Sequence, residues 1–328
     1  MSSYQKDDID KTFSNYEIYD NNIYASVDEG ISIFTYYGRL ENIKIYNNVV
    51  KSINTSSIGI VTLSSVESVK FNESISNVYI NNNDLYEGGI FLSQGIKDIY
   101  IHENRIYRET SNNNLNYLIY MEEASKRICP TNIIIKNNDL KAKDISCSGI
   151  NVFLCDNMVV DSNSFDGLSE GIRFSASNNQ LGMLISNNLF TNCVTGVLSE
   201  HTRIVIDSNT FITCETSILL KSFGSDRALI KNNNFKLSNE GIRVLAKITS
   251  RNLTINSNYF SSSKNYNIII DKDTTADFSS RALIKDNIIE GENSKLITDE
   301  TSDIKRYFIL FSNLFFSKEA WTWKECEK

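Results

Sequence analysis

Apolar and polar positions alternate along this chain in short runs, and one nine-residue phrase keeps returning: x-Φ-x-Φ-x-x-Asn-x-Φ, with Φ apolar. It reads NYEIYDNNI at 15–23, NVYINNNDL at 77–85, NIIIKNNDL at 132–140, GMLISNNLF at 182–190 and RALIKDNII at 281–289, with six further copies between. Its seventh-position asparagines are Asn21, Asn48, Asn83, Asn104, Asn138, Asn163, Asn188, Asn209, Asn233, Asn258 and Asn287. They lie 27, 35, 21, 34, 25, 25, 21, 24, 25 and 29 residues apart, about 27 on average. A fixed period of this size marks a repeat architecture. Between phrases lies a second short run, often opened by glycine, as in GISIF (30–34), GIRF (171–174) and GIRVL (241–245). Alternation with period two, bounded by Asn, Gly and Ser, predicts strands and turns, and helical periodicity is absent over most of the chain.

These strands have one economical arrangement. If each coil pairs in parallel with the next, equivalent residues stack in columns at ~4.8 Å, and eleven coils make a stack roughly 50 Å long. Phe165, Phe190, Phe211, Phe235 and Phe260 then form an aromatic ladder in the core, with the asparagines in a second column at the adjoining turn. Asparagine suits that turn because it tolerates the left-handed backbone region and bonds turn backbone. Cys193 and Cys214, each five residues after its ladder asparagine, stack as a buried thiol pair or, less in keeping with the missing secretory leader, a disulfide. The outward residue of the phrase is aliphatic in five consecutive coils: Ile134, Val159, Leu184, Val205 and Leu229. Such a column calls for a cover. Candidates are the long loop in 105–131, the apolar segment 306–316, or other copies of the chain in a homotrimer. Segment 307–316 is read as leaving the phrase and capping an open end, which would otherwise invite edge pairing. Trp321 and Trp323 in the tail pack there or stack on sugar rings. The organisation is therefore a lead-in over 1–14, a solenoid over 15–300 and a cap or tail over 301–328.

Composition narrows the picture. Proline occurs once, at Pro130, as expected where most backbone donors enter a ladder. The net charge of -7 supplies no basic excess for nucleic acid. No run of eighteen apolar residues predicts a membrane helix. The first twelve residues form no apolar signal-peptide region, so no signal peptide is read and synthesis in the cytoplasm is expected, with association with a virion as a further possibility. The six cysteines (Cys129, Cys147, Cys155, Cys193, Cys214 and Cys326) show no metal-ligand spacing, and no metal or cofactor is expected.

The phrase, its asparagine column and its repeat length resemble the right-handed parallel β-helix of the pectate-lyase-like superfamily over roughly residues 15–300. The resemblance implies an all-β right-handed parallel β-helix that binds and cleaves a polysaccharide, in the manner of a phage tailspike or depolymerase, by hydrolysis or by elimination. Alternatives are a non-catalytic adhesin or assembly component, and a polysaccharide epimerase. The superfamily's tailspikes are parallel trimers, which makes the homotrimer plausible here. The Gly-His-Gly and Arg-x-Lys of polygalacturonase-type hydrolases are missing, which argues against a pectinase.

Chemistry on such a scaffold belongs to an outer wall. Glycoside hydrolysis needs two carboxyl groups, ~5–5.5 Å apart for retention or ~6.5–9.5 Å for inversion. The glycine-opened strands of the later coils present Arg173, Glu200, Lys221, Arg243, Lys247, Asp271 and Asp273, with His201 beside Glu200 and with Asp156 and Glu122–Glu123 at the same edge in earlier coils. Glu200 and Asp156 are the candidate catalytic carboxyls. Arg173, His201, Lys221 and Arg243 are the candidate substrate-binding groups, able to hold an acidic sugar through charge-assisted bonds. Phe91, Ile119, Phe153, Leu198 and Leu219 are expected to interleave with them on the outside. A solvated wall of cross-strand ion pairs is the competing reading of the same residues.

Overall fold

The asparagine of the phrase is what turns the chain. In the computed structural model, which describes residues 2–3, 11–35, 38–62, 74–109, 116–121, 129–143, 146–175, 182–200, 203–221, 227–245, 252–261, 266–270, 282–291, 297–299 and 308–316, the residue just before each ladder asparagine has φ between 50° and 58°. These residues are Asn, Asp, Ser or, once, Glu103. The left-handed conformation thus falls one position earlier than the sequence reading placed it. From Asn48 to Asn287 the ladder asparagine itself is buried and serves as a connector. Asn48 donates its backbone N–H and its Nδ2 to Asn83 Oδ1, at 3.0 Å each, and its Nδ2 also reaches the carbonyls of Ile18 and Tyr46.

The described residues form strands and no helix, so none of them makes a helix long and apolar enough to cross a membrane. Each coil carries three strands, and each strand pairs in parallel with its counterpart in the next coil. Sheet 1 holds the phrase strands, such as Arg39–Tyr46 and Met183–Ser186. Sheet 2 holds the short strands after the asparagine, such as Arg105–Arg108 and Thr210–Ile212. Sheet 3 holds the glycine-opened strands, such as Ile31–Thr35 and Glu170–Phe174. The result is the right-handed parallel β-helix expected from the sequence.

Two units make up the chain, Met1–Ser164 and Phe165–Lys328. In the first, the interior is aliphatic: Val50, Leu85, Ile106 and Leu140 stack on sheet 2 in register, each 0–1% exposed. In the second, the same position is the phenylalanine ladder, with ring centroids 4.7, 4.8, 5.1 and 4.6 Å apart from Phe165 to Phe260. In this unit the glycines opening sheet 3, Gly171, Gly196 and Gly241, lie against those rings. A Cβ on Gly196 would lie 2.7 Å from the Phe211 ring and 2.5 Å from the Ser217 carbonyl. In the first unit the ring is missing, and Leu118 takes the glycine's place opposite Gly149.

The phrase's outward column is in register within each unit. Glu17, Lys44, Tyr79, Tyr100, Ile134 and Val159 run through the first, with Tyr79 and Tyr100 stacked at 4.8 Å. Leu184, Val205, Leu229, Thr254 and Leu283 run through the second. Residues 308–316, expected to leave the pattern, continue it instead. Phe308–Phe311 pairs with Ala282–Lys285, Leu314–Phe316 pairs with Ile288–Glu290, and Asn287 donates to Asn313 as Asn258 does to Asn287. The phrase YFILFSNLF at 307–315 is a twelfth copy, obscured by its apolar outward residues. Being strands of a coil, 308–316 are not a lid over the aliphatic column.

Candidate functional site

The outer wall of sheet 3 in the second unit is built from five strands in register. One column reads Glu170, Thr195, Thr216, Glu240 and Tyr266. The next outward column reads Arg173, Leu198, Leu219, Arg243 and Ile269. The sequence Glu-Gly-Ile-Arg occurs at both ends of the first four coils, at 170–173 and 240–243. Because the side chains at i and i+3 lean toward each other here, each repeat closes its own ion pair. Arg173 Nη1 lies 3.6 Å from Glu170 Oε1, and Arg243 Nη1 donates to Glu240 Oε1 at 2.9 Å. The second carboxylate oxygens are held as well: Ser169 Oγ donates to Glu170 Oε2 at 3.0 Å, and Thr216 Oγ1 to Glu240 Oε2 at 2.9 Å.

Between these two clamps the wall is uncharged and set low. Thr195 is 8% and Leu198 5% exposed, while Thr216 and Leu219 are half-buried. Three coil steps separate the clamps, roughly 14 Å at the inter-strand spacing. The wall is therefore a strip of hydroxyl and aliphatic groups, fixed at each end by a planar donor with its carboxylate. One column further out, Glu200 follows Ser199, whose partner is Leu220, so Glu200 stands beside Lys221 on the next coil. Lys221 in turn pairs with Leu245.

The predicted site residues divide accordingly. Arg173, Arg243, Glu200, Lys221, Leu198 and Leu219 are brought onto one wall. The arginines' charge is compensated by glutamates the sequence reading did not include, so they offer shaped donors rather than a bare positive field. Asp156 belongs to the first unit and opens a strand of sheet 1, Asp156–Asp161, in register with Thr131. Its oxygen accepts the Cys129 thiol at 3.5 Å. His201, Glu122, Glu123, Lys247, Asp271, Asp273, Trp321 and Trp323 lie outside the described residues. Ile119 is a correction: it is fully buried, and Tyr120 takes the outward place beside Phe91. The reason is Leu118, whose presence in the glycine slot moves the apparent start of the strand. Tyr120 is the centre of an aromatic cluster, 4.0 Å from Tyr117 and edge-on to Phe153 at 6.2 Å.

Cys129 gives this edge a titration signature. Burial, then the Asp156 charge and hydrogen bond, push its thiol up to about 11. The folded chain thus favours the neutral thiol. The stabilisation this brings is present below the ordinary thiol pKa and is lost as pH rises toward 11. Alkylation of Cys129, followed by peptide mass spectrometry, is expected to be slow at pH 8, with a rate midpoint near 11 that falls in Asp156→Asn. Free-cysteine reactivity at pH 8 would contradict this.

Sequence reasoning missed two groups. Glu29 is the carboxyl pushed upward among the described residues, by burial first and then by Asp28, while Asp28 is lowered by its bond with Glu29. The outer wall of sheet 2 in the first unit also carries an ordered set of tyrosines and charges, whose signal was the Tyr or Lys one residue beyond each of the first five phrases.

The sequence profile of a family described as "Periplasmic copper-binding protein (NosD)" matches residues 82–295. No curated protein matches the sequence significantly. Among solved structures, the catalytic unit of the GH87 α-1,3-glucanase of Streptomyces thermodiastaticus is similar with a TM-score of 0.51 and 12% identity, over 94% of this chain and 64% of that one. The family 28 exopolygalacturonase of Yersinia enterocolitica gives 0.49 and 11%, over 89% and 72%. The A-module of the mannuronan C-5 epimerase AlgE4 of Azotobacter vinelandii gives 0.49 and 11%, over 92% and 86%. At these identities the likeness is one of fold. The residues do not fit the copper of the family description: among those described, no three His, Cys, Asp or Glu side chains gather as a metal would need. The stacked thiols Cys193 and Cys214 are free, 1% exposed and only two.

Proposed function

The chain belongs to the NosD family of parallel β-helix proteins, and on that scaffold we propose that sheet 3 of the second unit is a polysaccharide-binding wall. The observation that carries the reading is the pair of Glu-Gly-Ile-Arg clamps, Glu170–Arg173 and Glu240–Arg243, in register at the two ends of a low strip of Thr195, Leu198, Thr216 and Leu219. Aliphatic floor suits the C–H faces of sugar rings. Threonine hydroxyls and arginine forks, each held by a carboxylate, suit sugar hydroxyls and carboxyl groups. The clamps stack along the coil direction, so the ligand is a chain that runs across successive coils.

Cleavage of the bound chain, where it occurs, falls to Glu200. It stands one outward column from the strip, beside Lys221, at the position for a proton donor. Glu170 and Glu240 are not the hydrolytic pair, because three coil steps exceed the ~6.5–9.5 Å of an inverting site. His201, next to Glu200 in the sequence, is proposed to extend the binding edge.

The test is titration of the protein with neutral and acidic oligosaccharides, with reducing ends and absorbance near 235 nm followed in parallel. Arg173→Ala/Arg243→Ala is expected to weaken the best ligand at least tenfold. Any new reducing ends are expected to disappear in Glu200→Gln with binding retained. Unchanged affinity in the double variant rejects the wall; unchanged cleavage in Glu200→Gln rejects the proton donor.

The half-buried aliphatic positions Ile134 and Val159 in one unit, and Leu184, Val205 and Leu229 in the other, are proposed to be covered by two further copies in a parallel homotrimer. Light scattering at micromolar concentration should give three times the chain mass, and a monodisperse monomer would reject it.

A further inference from the structure

The geometry points to a second saccharide site, on the outer wall of sheet 2 in the first unit, that takes a ring of a neutral hexose chain. Its column reads Tyr24, Lys51, Tyr86, Tyr107 and Lys141 in unbroken register. The column beside it holds Asp84, Arg105 and Asp139, also in register. Where the two meet, a cavity of about 170 Å³ opens, lined by Tyr86, Arg105, Ile106, Tyr107, Asp139 and Lys141.

Three features of this cavity select the ligand. First, Tyr86 and Tyr107 are on adjacent coils, and Tyr86 is 40% exposed although nothing in its strand requires a ring in water. Tyrosine presents a rigid ring face at low entropic cost, which suits the apolar face of a sugar. Second, Arg105 is 72% exposed yet fixed in orientation, because both oxygens of Asp84 accept from its Nε and Nη2. That pairing leaves Nη1 of a planar, aimed donor for a ligand hydroxyl. Third, the charges cancel: Arg105 and Lys141 against Asp84 and Asp139. A neutral ring whose hydroxyls both donate and accept matches that set, and a uronate would meet Asp139 as well as Lys141. The volume lies below the ~300–1,000 Å³ of a drug-sized pocket, so one ring is seated and its neighbours lie along the wall toward Lys51 and Tyr24. The site shares no residue with the wall proposed above and stands or falls separately.

Calorimetric titration of the full chain with cellohexaose, laminarihexaose and maltohexaose, and with hexagalacturonate and the hexamer of glucosamine as charged counterparts, tests this. It is done in the Arg173→Ala/Arg243→Ala background so that the other wall does not contribute. At least one neutral chain should bind. Tyr86→Ala/Tyr107→Ala should weaken it at least tenfold, whereas Tyr86→Phe/Tyr107→Phe, which keeps the ring faces and the packing, should stay within threefold. The inference is overturned if no neutral chain binds, if a charged chain binds more tightly, if the alanine pair binds as the parent does, or if the phenylalanine pair folds but loses the ligand.

Discussion

Asn209→Ala is expected to destabilise the second unit by about 3–4 kcal/mol, one of the largest effects of any single truncation in the chain. The side chain is small, but it closes five bonds at once. Its Oδ1 accepts the backbone N–H and the Nδ2 of Asn188, at 2.9 and 3.0 Å. Its Nδ2 reaches the carbonyls of Ile185 and Asp207 and the Oδ1 of Asn233, at 3.0, 3.1 and 3.0 Å. Alanine leaves the Asn188 N–H and the Ile185 carbonyl buried without these partners, each worth ~1–3 kcal/mol when orphaned. Unfolding in urea followed by circular dichroism measures the loss, with the exposed Lys236→Ala as a reference expected within about 0.5 kcal/mol of the parent. A loss below about 1 kcal/mol would mean that the column is ornament rather than framework. Asn209→Asp sharpens the test. Its buried carboxyl titrates above the ordinary range, so it can donate at low pH and becomes more damaging as pH rises.

Phe211→Ala is expected to cost about 3–5 kcal/mol, the usual range for emptying a core aromatic position. Phe211 is fully buried and stacks on Phe190 at 4.8 Å and on Phe235 at 5.1 Å, so two stacks are lost together with the packing. The more diagnostic experiment pairs it with Gly196→Ala. That methyl would stand 2.7 Å from the Phe211 ring and 2.5 Å from the Ser217 carbonyl. Overpacking alone costs ~1–3 kcal/mol. In the double variant the ring clash disappears but the carbonyl clash stays. The double-mutant cycle should therefore show partial compensation, with stability still below that of Phe211→Ala. Full rescue would mean that the ring alone excludes a side chain at this position.

Much of the fold could be read before any coordinates because a parallel coil repeats its own errors and its own rules. The eleven asparagines, the phenylalanine column and the outward run from Glu17 to Leu283 all stand where their phrase positions put them. The twelfth copy was hidden by Phe311, an apolar residue at a position where earlier copies carry Tyr, Asn, His, Lys, Asp or Ser. Ile119 faces inward, against the sequence reading, because the strand Tyr117–Met121 carries Leu118 where neighbouring sheet 3 strands carry glycine.

The site was legible only in part, and for a different reason. Arg173 and Arg243 could be placed on one wall by period, but their neutralisation by Glu170 and Glu240 depends on an i, i+3 contact across a glycine, which alternation alone does not announce. Tyr86, Arg105 and Tyr107 stand at or just beyond the end of the phrase, where the residues vary from coil to coil and the repeat gives no sign of a site. Nothing in a scaffold repeat distinguishes a wall that binds from one that is merely wet; the distinction lies in which non-repeating residues coincide in register.

The most direct measurement is a crystal soaked with the tightest oligosaccharide found by titration. Sugar rings are expected along the strip over Thr195, Leu198, Thr216 and Leu219, with hydroxyl or carboxyl oxygens within hydrogen-bond reach of Arg173 and Arg243. A bound saccharide that leaves this strip bare while occupying other faces of the molecule would contradict the assignment.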